Sequence, residues 1–564
     1  MKKDLLKKEW EKHKASKTKP EELDFLNKEQ EKAIELSVKK PHLKELVKLN
    51  LESGRQKQAA FSLKEMSKED KEKEQKIKKE EVKKTEQTQK EYAKKQKKDE
   101  NEVYSLKMEV VSLIAQKKRR EATELVVDFI ENKEYIYSTR EDTKSEMWIY
   151  KNGIYNPNGK SYIGEQCRKI LGEHFTTHLM NEILSKIEAD TYIDSEKFFK
   201  NNYIDEIPVE NGILNIKQKK LNPFNPEKIF FNKLPVKYNP KSKCPEITNH
   251  LKNVLKNGED VKVLFEVFGF LLYKDYFIEK AIMFIGDGRN GKGKTIDLMK
   301  RFLGADNCCS VPLNSLSEGG FRTWDLFGKM ANLAGDLSSN ALKETSTLKQ
   351  TTGRDLIGAD RKNKSTVNFV NYAKHIFACN DLPRVYDFSR GFWERWILFE
   401  FPYTFVKQEI YDSLNEEEKK KYKIMDVFIM DKLSSSEELS GLLNEAIEGF
   451  HRILKQKDFS YSIGVDEVKK FWVRKSDSFT SFAMDHLEES YDASITKQKL
   501  RKSFMGYCKA HKIKGASDKN IKVVLEEMFG VTESQNSSGM RVWEGVKFKE
   551  SSNYNYVEGK LSQD

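Results

Sequence analysis

Apolar positions are spread unevenly along the chain, and their spacing predicts its organisation. From Ser67 to Glu100 the text is almost wholly Lys, Glu, Gln and Asp, with Ile77, Val82, Tyr92 and Ala93 as its few apolar positions. Glu–Lys pairs three or four apart support a solvated helix, but so thin a seam cannot bury a core. Short amphipathic helices are expected over 1–65, then a charged helical or disordered spacer over 66–103. Ordered text begins near Tyr104. Helix-like spacing to about Lys133 leads into Met147–Tyr155, where aromatic and β-branched residues flank Asn152-Gly153, the signature of a tight hairpin. A helical stretch runs to about Ile187, and Ile207–Ile216 reads as a second pair of short strands. Prolines from Pro223 to Pro245 punctuate a long connection before helices resume over Ile247–Leu272.

Ala281–Ile285 is an unbroken apolar run, the pattern of a strand buried on both faces. Ile296–Leu303 has helical spacing and ends at Gly304, a suitable C-cap. Further strands are expected at Met330–Ala334, His375–Cys379 and Ile397–Phe401, so 281–401 alternates strand and helix as a compact parallel α/β sheet does. Near the C-terminus, Thr496–Ile513 and Ser517–Phe529 each start at a Ser/Thr cap candidate. Val531–Glu533 and Met540–Trp543 then flank a Gln-Asn-Ser-Ser-Gly turn, so two helices and a hairpin predict a winged-helix-like module. The expected divisions are a charged tract over 1–103, an α+β domain over 104–275 and a parallel-sheet core over 276–405. A helical connector over 406–464, the winged-helix-like domain over 465–550 and a tail over 551–564 complete the chain.

Composition narrows the classes. The 564 residues carry 101 Lys and Arg against 89 Asp and Glu, a formal charge of +12 that favours a polyanionic partner only weakly. The longest apolar stretch, Val261–Tyr273, is broken by Lys262 and Glu266, short of the roughly 18 residues a membrane-spanning helix needs. Met1-Lys2-Lys3-Asp4 opens no apolar signal segment, and the 6 cysteines show no CxxC spacing. A cytoplasmic protein without membrane partner, disulfide framework or structural zinc is expected.

The strand at 281–285 runs straight into Gly286-Asp287-Gly288-Arg289-Asn290-Gly291-Lys292-Gly293-Lys294-Thr295. A strand, a glycine-rich turn and a helix form the context of a phosphate-binding loop, where free backbone N–H groups surround phosphate oxygens at a helix N-terminus. Two registers fit. Gly288 to Thr295 matches GxxxxGK[ST] in full, with Lys294 as the phosphate lysine. Gly286 to Gly293 abuts the strand directly, with Lys292 in that role and Asn290 just before the Gly-Lys pair. Because such loops begin at the strand end, Lys292 is preferred, leaving Thr295 or a water to complete a Mg²⁺ shell. Downstream, Asp336 ends an apolar strand and suits metal binding and polarisation of an attacking water. Asn380 ends the next strand and suits orientation of the same water. Arg395 precedes the last strand, where an arginine can reach the nucleotide of a neighbouring subunit.

The segments GDGRNGKG, GKMANLAGD, LKQTTGRDLIGADRK, HIFACNDLPRVYD and GFWERW resemble superfamily 3 helicases of the poxvirus D5-like and P4-like plasmid and phage replication type. NGILNI and LNPFNPEKIFFNKLPVKYNP are similar to the domain preceding the ATPase in D5-like proteins, so the resemblance covers about 140–405. It implies an AAA+-like ATPase with Lys292 as Walker A lysine, Asp336 as Walker B acid, Asn380 as sensor 1 and Arg395 as arginine finger. It also implies that Lys349, Arg361 and Lys362 face a DNA channel. The departures are Gly293 where Ser is usual and Asp336 where Glu is usual. ATP and Mg²⁺ are the implied cofactors, single-stranded or forked DNA the substrate, and a homo-oligomeric ring, a hexamer, the assembly, with a separate primase or polymerase as partner.

Lys499 and Arg541, on the first C-terminal helix and after the wing turn, read equally as a solvated face or as phosphate contacts. The expected activity is ATP-driven unwinding of DNA during replication of a plasmid, virus or integrated element. An ATP-switched initiator or loader, a degenerate P-loop scaffold and a small-molecule kinase are the alternatives.

Overall fold

The computed structural model describes residues 101–549 apart from 140–144, 201, 318–319, 336, 338–341, 343, 362–363, 386, 388 and 512–514. The charged tract, the C-terminal tail, Asp336 and Lys362 therefore lie outside the described residues.

Helix α1 (Arg119–Lys133) is followed by β1 (Ile136–Thr139), β2 (Glu146–Lys151) and β3 (Ile154–Asn156). Asn152 and Gly153 join β2 to β3 with φ of 53° and 97°, the left-handed pair that a two-residue hairpin turn demands. Helices α2 (Gly159–Leu171) and α3 (Thr177–Asp190) return the chain to β4 (Tyr192–Ile193), giving a sheet of order β3-β2-β1-β4. A second antiparallel sheet follows, β5 (Glu206–Val209), β6 (Gly212–Asn215) and β7 (Lys220–Asn222). The strand pair read from Ile207–Ile216 is β5–β6; β7 is too short and polar to have shown in the pattern.

After α4 (Pro245–Val254) and α5 (Gly258–Leu272) comes a sheet whose five strands are all parallel. They are β8 (Ala281–Ile285), β9 (Cys308–Cys309), β10 (Ala331–Ala334), β13 (Lys374–Cys379) and β14 (Trp396–Glu400), in the order β14-β8-β13-β10-β9. Alternate residues of β8 enter different cores. Ile282 and Phe284 pack with Leu298, Met299 and Phe302 of α6 (Lys292–Leu303), while Ala281, Met283 and Ile285 pack with Phe377, Trp396 and Leu398. Burial on both faces is why this strand reads as an unbroken apolar run. Between β10 and β13 the chain forms α7 (Ser346–Thr352) and an antiparallel hairpin of β11 (Leu356–Arg361) and β12 (Lys364–Val370). Helix α8 (Arg390–Trp393) precedes β14.

The α+β region and the core are tied by a buried amide network. Asn232 donates to Asn307 Oδ1 at 3.0 Å and to the Gly328 carbonyl at 2.8 Å, and accepts from the Tyr372 hydroxyl at 3.0 Å. Beyond β15 (Thr404–Val406), β16 (Tyr422–Ile424) and the long helix α9 (Ser436–Gln456), α10 (Val465–Ser476) lays Trp472 against Phe392, Trp393 and Trp396 of the core. The C-terminal elements are α11 (Ser478–His486), β17 (Leu487–Thr496), α12 (Lys497–His511), α13 (Asp518–Phe529), β18 (Thr532–Gln535) and β19 (Arg541–Phe548), with sheet order β17-β19-β18. The two expected helices and the hairpin are present; α11 and the third strand, β17, were not anticipated. The Trp472 indole donates to the Pro383 carbonyl at 2.8 Å and Arg384 pairs with Asp477 at 2.9 Å, fastening these elements to the loop that follows β13. Among the described residues no helix is long and apolar enough to cross a membrane.

Candidate nucleotide-binding site

Sites in parallel sheets form where strands end and helices begin. At the end of β8 the chain must turn sharply into α6, and two glycines make that turn. Gly291 is the N-cap of α6 at φ 96°, and a Cβ there would stand 2.7 Å from Val254 Cγ1. Gly286 has φ 157°, and its Cβ would collide with Asn290 Nδ2 and the Phe401 carbonyl. Gly288 and Gly293 have open space where a side chain would go. Asn290 braces the bend by donating to the Phe401 carbonyl at 3.2 Å and accepting the Lys292 N–H at 3.3 Å. The loop thus presents backbone N–H groups at a helix N-terminus, with the positive end of the α6 dipole behind them.

The two lysines of the alternative registers lie in different surroundings. Lys292 is buried, and its ammonium turns back into the bend to meet the Gly286 carbonyl, the Asp287 carbonyl at 3.1 Å and Asn380 Oδ1 at 3.0 Å. Lys294 is exposed on the helix. Thr295 is fully buried, and its hydroxyl donates to the Gly291 carbonyl at 3.1 Å, so it is engaged inside its own helix. Asn380 follows the last residue of β13, the strand beside β8, and the structure therefore brings together two residues that lie far apart in sequence. Asp336, assigned to the metal, lies outside the described residues, two positions beyond the end of β10.

Arg395 lies at the opposite end of the sheet, where its carbonyl accepts the first N–H of β8 at 2.6 Å. Its guanidinium is largely buried and held by Thr352 Oγ1 at 2.9 Å, by the Gly391 carbonyl and by Glu279. Arg390, one turn earlier on α8, is 82% exposed and pairs with Glu394 at 2.5 Å. The two arginines differ in exposure, Arg395 at 13% and Arg390 at 82%.

Residues 6–256 match the family described as D5 N terminal like, and residues 284–393 match a family of unknown function, DUF5906. Over residues 6–256 the chain is thus D5 N-terminal-like. The first match begins well before the α+β domain expected from residue 104, inside the charged tract. Among solved structures the chain is similar to the NrS-1 C terminal region (305–718), at 13% identity over 75% of this chain and 98% of that one, with a TM-score of 0.39. It is also similar to the JCV helicase, at 14% identity over 41% of this chain and 63% of that one, with a TM-score of 0.21. No curated protein matches it.

The residues expected to touch nucleic acid lie on separate elements. Lys349, on α7, is paired with Asp387 at 2.6 Å and donates to Ser389 Oγ at 3.1 Å. Burial works against ionisation of Asp387, but Lys349, Ser389 and Thr345 outweigh it and hold its carboxyl well below the usual range. Arg361 ends β11 at the turn of the β11–β12 hairpin, beside Lys362 and ahead of Lys364, which opens β12. Lys499 is exposed on α12 with its ammonium 5.6 Å from the Phe548 ring, and Arg541 is exposed at the start of β19. The hairpin itself escaped the sequence reading. The Gly353-Arg354-Asp355 turn before it was its one local signal.

Proposed function

We propose that this chain is an ATP-hydrolysing DNA translocase of superfamily 3 type, acting in replication as a helicase. The observation that carries the reading is the buried Lys292 ammonium, turned into the strand-to-helix bend and bonded to Asn380 from the neighbouring strand. An ammonium held among carbonyl oxygens at a helix N-terminus suits a triphosphate that exchanges those carbonyls for phosphate oxygens. This placement supports the Lys292 register. Gly286 and Gly291 let the bend pack against its surroundings, and Gly288 and Gly293 keep its outer side free of side chains, which suits a bound nucleotide.

In the reaction, Lys292 draws charge from the β- and γ-phosphates and Asn380 orients water for in-line attack. Asp336 would hold Mg²⁺, directly or through water, because Gly293 offers no hydroxyl and that of Thr295 is engaged in its helix; the ion would supply neutralisation of phosphate charge. An arginine of a neighbouring protomer completes the site, in a homo-oligomeric ring that we take to be a hexamer. Arg361, Lys362 and Lys364 grip the DNA backbone, and α11 to β19, read as a winged-helix-like module, adds Lys499 and Arg541 to the DNA-facing charge. A separate primase or polymerase supplies synthesis.

The test is phosphate release with and without single-stranded DNA, alongside separation of a forked duplex. Stimulation by DNA together with directional unwinding supports the translocase. Hydrolysis without unwinding leaves an ATP-switched initiator, and no hydrolysis leaves a scaffold. Grip through phosphates predicts binding that weakens with salt, by about 0.7 in log–log slope per phosphate contact on single strands.

A further inference from the structure

A polar side chain buried in a parallel sheet is costly unless paired, so an unbroken chain of such groups specifies one arrangement of the elements it joins. One chain of this kind runs from the middle of the sheet to the base of the β11–β12 hairpin. Asn332 of β10 is fully buried; its Oδ1 accepts the Val311 N–H at 2.6 Å and its Nδ2 donates to the Val311 carbonyl at 2.9 Å. These two bonds fix which end of the amide is which. The remaining Nδ2 proton therefore points at His375 Nδ1, 3.2 Å away on β13. With Nδ1 an acceptor, the imidazole carries its proton on Nε2 and donates to Thr351 Oγ1 at 3.0 Å. The Thr351 hydroxyl then donates to the Leu348 carbonyl at 3.1 Å. Burial depresses the basicity of His375, to about 3, so the ring stays neutral.

Thr351 stands where the hairpin begins. Its carbonyl accepts from Asn371 Nδ2 at 2.8 Å, and Asn371 immediately follows β12, so one residue closes both ends of the hairpin. The strands that enter this node are the two whose C-terminal ends lead to Asp336 and Asn380. The hairpin that leaves it carries Arg361 at the end of β11 and Lys364 at the start of β12. We propose that Asn332, His375 and Thr351 form a coupling node, positioning residues that make the set of the basic hairpin follow the relative placement of β10 and β13. This role rests on the ATP-driven DNA translocation proposed above.

Thr351→Val keeps the volume and deletes the hydroxyl; Thr351→Ser keeps the hydroxyl. Full-length parent and variants are compared for phosphate release with and without single-stranded DNA and for strands separated per ATP. Thr351→Val is expected to hydrolyse ATP without DNA as the parent does and to lose about tenfold in strands separated per ATP, a factor within the range such coupling residues move. Thr351→Ser is expected to restore the coupling. Should Thr351→Val melt early, Asn371→Ser, which removes the clamp across the hairpin base along with the amide's local bonds to the Ala373 N–H and carbonyl, is expected to uncouple in the same way. Parallel loss of basal hydrolysis and unwinding by one factor, or unchanged coupling in both variants, would assign the node to fold stability alone and overturn the proposal. A parent that shows no DNA-stimulated hydrolysis would remove the translocase reading itself, before any variant is compared, and the node's role with it.

Discussion

The Lys292 ammonium lies 3.0 Å from Asn380 Oδ1, joining the bend after β8 to the end of β13. The contact places a cation and a neutral polar group at adjacent strand ends, the two groups assigned above to the proposed ATP site. Lys292→Ala is expected to lower phosphate release by about 10² to 10³, the range seen when one preorganised donor to a reacting oxyanion is removed. Lys294→Ala, at an exposed helix position, is expected to leave it nearly unchanged. Asn380→Ala is expected to lower kcat with little change in KM for ATP, since orienting water contributes only when bonds are breaking. Steady-state phosphate release for the three variants checks all of this. Equal loss in the two lysine variants would reopen the register.

The four glycines of the loop divide into two kinds. Gly291→Ala combines a left-handed backbone with a Cβ 2.7 Å from Val254, and is expected to destabilise the core by about 1–3 kcal/mol as well as abolish nucleotide binding. Gly288→Ala meets nothing and is expected to melt with the parent. Gly293→Ser also has open space, and it restores a hydroxyl directly after Lys292. Its expected effect is a gain: half-maximal phosphate release at lower Mg²⁺, measured by metal titration at saturating ATP.

The parallel sheet was legible because each of its long strands is buried on both faces and reads as an apolar run ending in a polar residue. The β2–β3 hairpin was legible because only Asn-Gly serves that turn so well. The β11–β12 hairpin was not: Ile357, Ala359 and Phe369 do alternate inward between exposed Leu356, Gly358 and Val370, but so few apolar positions, broken by Gly358 and the charged 360–364 stretch, do not stand out as a strand pattern. β17 escaped for a related reason, its pairing with β19 shifting register between Ser490 and Ser494, which breaks the two-residue alternation. At the site, the lysine register was argued from strand proximity and the structure adds the burial of Lys292. What sequence could not supply was the arrangement around His375, Asn332 and Thr351. Those positions look like ordinary strand and helix text until the fold brings them together.

Lys374 begins β13 with its ammonium fully buried, donating to the Tyr273 carbonyl and standing 4.8 Å from the Phe270 ring centroid. Burial pulls its pKa down to about 7. The unfolded chain binds that proton up to about pH 10.4. Between these values the unfolded state holds more protons, so stability rises with pH; below pH 7 both states are protonated and the penalty is constant. Lys374→Met removes the titration. The stability difference between parent and variant is therefore expected to shift in the parent's favour from about pH 7 to pH 10, followed by urea denaturation at fixed ionic strength. A difference that stays flat across that window would mean the buried amine keeps its ordinary basicity.

Two arginines on one turn of chain make opposite predictions for a finger acting between protomers. Arg395 is spent inside its own subunit on Thr352, Gly391 and Glu279, and its removal leaves a buried hydroxyl and a carbonyl without their donor. Arg395→Ala is expected to lower the melting temperature and to lose activity in proportion to unfolded protein. Arg390 is exposed and bound only within its helix turn to Glu394, so Arg390→Ala is expected to melt with the parent. If Arg390 is the residue that enters the adjoining nucleotide site, that variant loses about 10³ or more in ATP turnover, the contribution of an arginine supplied in trans. Mixing it with Lys292→Ala subunits then restores part of the activity, because some interfaces regain an intact lysine from one protomer and an intact arginine from the next. If Arg395 is the finger, the rescue appears only with Arg395→Ala, and only among subunits that remain folded. Mixed-subunit phosphate release, read beside the melting curves, assigns the finger to one of them.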